Sequence, residues 1–264
     1  MSKNIKLKTK QNKITEKVVD INDLNLLNQA MVSLNNQNIM FINSTIKILV
    51  INNTIPTIIY KQLSKEYPTL KSILVLDTNS PKILSSNHRC QFNINPANFN
   101  YFTQSIISPL WYDFIKYHLS SKFMNDIFNI FSYSYSYSSY NNTNLEIDFQ
   151  IGYNLPIFNN NYYLNSPSIK VDKDVLYMGW FLMRKDEDNS IGGNLEIFNH
   201  NINTNIKQKI TTIPYQNNCL IILENIDNIE NKMENVNQVY FAFSQKQITL
   251  HSQRYISFTI KQKK

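Results

Sequence analysis

Four glycines in 264 residues limit this chain more than any other feature, and two of them are adjacent. Gly152 and Gly179 stand alone, while Gly192-Gly193 make a tight corner that allows positive φ and lets a new strand begin. A phosphate-cradling loop or a GxGxxG dinucleotide turn needs several closely spaced glycines, so both classes are excluded. Collagen-like repeats are excluded too. Cys90 and Cys219 are too few for a disulfide scaffold or a four-cysteine zinc site. His88, His118, His200 and His251 are scattered, which argues against a metal cage built from imidazoles.

The composition explains part of this scarcity. There are 40 asparagines and 36 isoleucines against three alanines and three arginines, the bias of an AT-rich genome, viral (a giant virus) or microbial. Charged residues make up 17% of the chain, below the roughly 25% usual for soluble domains. The net charge of +7 is almost all lysine. Lys3, Lys6, Lys8, Lys10, Lys13 and Lys17 crowd the start, so residues 1–18 are expected to form a basic, disordered arm. Such an arm also attracts nucleic acid, and that alternative rests on lysine alone. Residues 19–264 are expected to form a single domain, long enough to bury a real core. With no apolar run of 18 residues and no signal-peptide core, the expectation is a cytoplasmic protein (virion or host cytoplasm if viral) with free thiols and no membrane partner.

Along the chain, helical signals precede strand signals. Asp20–Asp23 caps a short helix through Ala30, and Ile46–Ile51 reads as a buried strand. Pro56 opens a helix whose apolar positions are Ile58, Ile59, Leu63 and Tyr67, and Pro68 ends it. Residues 75–104 read as irregular. Ser108 and Pro109 start a helix through Trp111, Phe114, Ile115 and His118. Ser120 or Ser121 caps another through Phe123, Ile127, Ile130 and Phe131. The period-two stretch 132–140 suits a loop or a tyrosine-faced strand. Seven short β-rich segments follow: 145–153, 176–183, 194–199, 207–213, 220–223, 239–243 and 255–260. Helices first and antiparallel strands second predict an α+β fold with helices on one face of a sheet or barrel.

The segment Gly179–Ile197 (GWFLMRKDEDNSIGGNLEI) is the most specific in the chain, and it holds three of the four glycines. It resembles a signature of the 2-oxoglutarate/Fe(II)-dependent oxygenase family. Ile51–Glu66, Ser108–Phe131, Gln150–Asn154, Asn218–Asn225 and Arg254-Tyr255 are similar to further pieces of that family in the same order. The resemblance spans residues 46–260. It implies a double-stranded β-helix (jelly-roll) core with N-terminal helices packed on one face.

It also implies a ligand set. The family holds Fe(II) with a His-x-Asp and a distal His, and pairs an arginine with the far carboxylate of 2-oxoglutarate. Here Ser168–Val175 contains no histidine, and Asp172 and Asp174 stand in the His-x-Asp slots. The distal position falls on Glu230, and Arg254 stands at the cosubstrate arginine. An all-oxygen set of Asp172, Asp174 and Glu230 suits Mg, Ca or Mn better than Fe(II); equally, these are ordinary turn carboxylates. The alternative for Arg254 is a strand arginine paired with a surface carboxylate. His200 and His251 are packing or solvated residues unless recruited as ligands, and His118 reads as structural. His88-Arg89-Cys90 falls in the irregular region, with Cys90 a small buried thiol. The expectation is therefore a family member that has lost iron-dependent catalysis, needs no cofactor, and binds an unknown protein or small molecule. The first alternative is an active hydroxylase of a protein side chain or small molecule, using Fe(II) and 2-oxoglutarate. The second is a nucleic-acid-associated protein.

Overall fold

Ser108 and Ser120 show how locally the helices are written. In the computed structural model Ser108 Oγ accepts from Trp111 N at 3.4 Å, and Ser120 Oγ from Phe123 N at 3.3 Å. Each serine satisfies a donor that the first helical turn leaves open. The helices they start are α3 (Pro109–His118) and α4 (Ser121–Ser132). Two shorter helices precede them, α1 (Thr57–Lys65) and α2 (Leu70–Leu76). The structure describes residues 39–42, 46–76, 89–95, 99, 107–132, 145–154, 174–201, 203–224, 237–244 and 251–263. The arm at 1–18, the helix expected at 20–30 and the stretch 133–140 lie outside them.

Ten strands are described: β1 (Ile39–Ile42), β2 (Ile46–Asn52), β3 (Arg89–Ile94), β4 (Leu145–Asn154), β5 (Val175–Leu182), β6 (Leu195–Asn201), β7 (Ile206–Ile213), β8 (Cys219–Glu224), β9 (Asn237–Phe243) and β10 (Gln253–Gln262). They form a seven-stranded sheet in the order β1-β2-β8-β5-β10-β4-β3 and a three-stranded sheet in the order β7-β6-β9. All the pairings are antiparallel. From β5 onward the chain passes to the small sheet for β6 and β7, back for β8, across for β9 and back for β10. Two facing sheets wound in this alternation are a double-stranded β-helix, as the resemblance implied.

The period of two along each strand divides the core in two. Phe149, Phe181, Ile222 and Phe258 face the helices and pack with Trp111, Phe114 and Phe123. Met178, Trp180, Leu182, Ile221 and Tyr255 face the small sheet and pack with Leu195, Ile197 and Ile213. Trp111 Nε1 donates to Leu63 O at 3.1 Å, which ties α3 to α1. On β5, a Cβ at Gly179 would stand 2.1 Å from Phe258 Cζ, so the ring lies directly on the glycine backbone.

Three expectations change. Ile58 is 67% exposed, because the inward stripe of α1 runs through Tyr60, Leu63 and on to Tyr67. The region read as irregular contains β3, an edge strand paired with β4. Edge strands meet solvent on one side, so their apolar alternation is weak. Pro68 does end α1, but Thr69 starts α2 at once, its Oγ1 accepting from Ser72 N at 3.1 Å.

Candidate functional site

Arg184 follows β5 and gathers the acidic turn around its guanidinium. Nε donates to Asp188 O at 2.8 Å, Nη1 to Tyr215 O at 2.8 Å and Nη2 to Ser190 O at 2.7 Å. The Tyr215 ring lies 5.7 Å from its guanidinium carbon. Asp188 Oδ1 accepts from the amide and hydroxyl of Ser190, which closes the turn on itself. Gly192 (φ 92°) and Gly193 (φ 73°) then take the left-handed conformations that only glycine adopts easily. Gln253 Nε2 donates to Gly193 O at 2.7 Å. The most specific sequence segment is thus a corner that sends the chain from one sheet to the other. Its buried carboxylate, Asp188, fastens the turn.

Arg254 lies near the start of β10, on the same face as Ile256 and Phe258, the helix side. It is 3% exposed. Its Nη1 donates to Ser64 O at 2.7 Å, Nη2 to Ser64 Oγ at 2.8 Å and Nε to Met183 O at 3.2 Å. The guanidinium carbon stands 4.9 Å from the Tyr67 ring centroid, a cation–π distance. Tyr67 is buried, and its hydroxyl lies 2.7 Å from both Gly152 O and Tyr255 O. Arg254, Ser64 and Tyr67, with Tyr60, Lys61, Lys65 and Tyr153 and the turn Lys185–Glu187, line a groove of about 570 Å³ bounded by α1, the turn after β5 and the end of β4.

On the face of the large sheet turned away from the helices, β5 and β8 present apolar side chains packed on the small sheet, while β4 and β10 present polar, partly exposed ones. Ser257 Oγ donates to Gln150 Oε1 at 3.1 Å, and Lys261 Nζ pairs with Asp148 at 2.7 Å and Glu146 at 3.1 Å. The hydrogen bond to Asp148 raises the Lys261 pKa.

Among the residues expected to carry chemistry, Asp174 sits in the turn before β5, half-buried, with its carbonyl accepting from Gln262 N at 2.9 Å. Asp172 and Glu230 lie outside the described residues. Among the described residues no three His, Cys, Asp or Glu side chains come together as a metal site. His118 is fully buried, its Nδ1 2.6 Å from Phe114 O and its ring against Phe114, Phe123 and Phe181. Burial pushes its pKa down to about 3, so the imidazole is neutral. His200 belongs to β6 and His251 precedes β10. Arg89 and Cys90 belong to β3 rather than to a loop. Cys219 is a free, buried thiol pushed up to about 11 by burial.

Apart from Arg254, the sequence did not mark the polar residues of the groove, nor a buried ion pair at the other end of the sheet. Lys47 Nζ lies 3.1 Å from Glu224 Oε2, with side chains 7% and 1% exposed, and Tyr177 OH donates to Glu224 Oε1 at 3.2 Å. The signal for this pair was a lysine inside the β-branched run IKILVI. The groove had no local signal, because Tyr67 meets its partners across 85 and 188 residues.

No family model matches the chain, and no curated protein matches it. Several solved structures are similar to it. They include a prolyl-4-hydroxylase from Pseudomonas putida, at 7% identity and a TM-score of 0.43 over 81% of this chain and 92% of that one. A viral collagen prolyl hydroxylase from Paramecium bursaria Chlorella virus-1 is 11% identical with a TM-score of 0.39, over 82% of this chain and 90% of that one. A rice dioxygenase for auxin oxidation is 9% identical with a TM-score of 0.48, over 82% of this chain and 74% of that one. At such identities these are likenesses of fold.

Proposed function

We propose that this double-stranded β-helix domain has lost iron-dependent catalysis and acts by binding a partner molecule. The observation that carries the reading is the direction of Arg254. A cosubstrate lying between the two sheets would need its guanidinium there, yet Arg254 stands on the helix side, bonded to Ser64 and Met183. The donor set adds support. Ser168–Val175 offers no imidazole, and the carboxylates Asp172, Asp174 and Glu230 are hard oxygen donors that fit Fe(II) poorly.

Anaerobic titration of the full chain with Fe(II) and 2-oxoglutarate tests this directly. An intact site gives a visible charge-transfer band when both are bound, and none is expected here. If the band develops with saturation, the chain is an active hydroxylase of a protein side chain or small molecule, and the proposal fails.

A further inference from the structure

A buried charge is costly unless a counter-charge or a full set of hydrogen bonds replaces water. Arg254 is 3% exposed, yet its contacts are two carbonyls, one hydroxyl and the face of Tyr67, all neutral. Among the described residues no carboxylate reaches ion-pairing distance of it. Above it on the groove wall stand Lys61 and Lys65, one helical turn apart on α1, also without a carboxylate partner among the described residues. The two acids at the groove's lip are already engaged. Asp186 accepts from Asn217 Nδ2 at 3.1 Å, and Glu187 pairs with Lys185 at 3.4 Å. With Lys185 and Glu187 cancelling each other, Arg254, Lys61 and Lys65 line the concavity against the single charge of Asp186, which leaves an excess of positive charge there.

We propose that this groove binds a small molecule through an anionic oxygen group, phosphate or carboxylate, seated by Arg254, Lys61 and Lys65. The volume of about 570 Å³ suits a metabolite-sized ligand. The walls are held in place beforehand: Tyr60 OH donates to Arg184 O at 2.9 Å and Tyr153 OH to Pro68 O at 2.6 Å. With these hydroxyls committed to backbone, recognition falls to the cations and the tyrosine rings. Arg254 adds its charge from the floor of the groove, with one N–H on each of Nη1 and Nη2 beyond those given to Ser64, and the lysines act as point charges around it. This proposal deepens the binding reading and rests on it. The surface lies on the helix side of the sheet, so its test and the iron titration fail independently.

The full chain is titrated by calorimetry at low ionic strength with inorganic phosphate, with citrate and with a single-stranded oligonucleotide, all without iron. Saturable single-site binding of phosphate or citrate is expected, and which of the two binds tighter identifies the head group. The Lys61→Ala/Lys65→Ala double variant, on exposed helix positions, is expected to weaken that binding at least tenfold. Lys207→Ala/Lys263→Ala removes the same charge elsewhere and is expected to leave it unchanged. Arg254→Lys keeps the charge without the fork and is expected to weaken binding, with its thermal unfolding read alongside. Absence of saturation, an equal loss in the control pair, or binding confined to the oligonucleotide overturns the proposal.

Discussion

The helix-facing side of the seven-stranded sheet buries charge at both ends, and the two ends treat it differently. At one end Lys47, Glu224 and Tyr177 sit side by side on β2, β8 and β5, and the charges cancel. At the other end, six residues along β5 and about 20 Å away at strand rise, Arg254 meets only carbonyls, a hydroxyl and a ring. The first arrangement is closed and self-sufficient. The second opens into a groove whose rim adds more positive charge. Similar burial with opposite bookkeeping separates a structural polar cluster from a candidate binding site.

The comparison breaks most easily at the closed end. Lys47→Met leaves Glu224 buried without its counter-ion and is expected to cost about 3–5 kcal/mol in urea unfolding. Adding Glu224→Leu should recover most of that loss. If the single variant is nearly neutral, the pair is not buried as described. At the open end, Arg254→Met strands the carbonyls of Ser64 and Met183 beside a groove that admits water. The expected loss is about 2–3 kcal/mol, and a larger one would mark Arg254 as chiefly structural. Between the ends lies His118, neutral in the fold with its pKa lowered to about 3. The unfolded chain takes up a proton there below about 6.5, so stability is full above that pH and falls as pH drops toward 3. The linked loss reaches about 2 kcal/mol by pH 5. His118→Phe should flatten the stability profile between pH 6.5 and 5. A profile that keeps its slope would assign the acid sensitivity to other groups.

The strand segments were legible because alternation and β-branching are local. Strand boundaries from β4 to β10 lie within two residues of the expected ones at either end. The serine caps of α3 and α4 were legible for the same reason. What could not be read was the side to which each face turned. Arg254 was placed by resemblance at a cosubstrate position, but its direction depends on strand parity and on Ser64, 190 residues away in sequence. The Gly192-Gly193 pair was read correctly as a tight corner. That Arg184 and Asp188 serve the same corner emerges only from their hydrogen bonds to backbone. β3, reading RCQFNI at the sheet edge, escaped because its apolar alternation is weak, and β1 because four residues, IMFI, are too few to show a period.

The position of β10 has a further consequence, for the order of synthesis. It is the last of the described strands, yet it lies between β5 and β4 near the middle of the large sheet. A nascent chain that has emerged through residue 250 therefore presents two unpaired strand edges toward an empty slot, an invitation to pair with other chains. The slot is filled only when residues 253–262 arrive, each of them opposite a partner on β4. Such long-range closure is slow, so this fold depends on keeping its half-built sheet apart from its neighbours until the last strand is made.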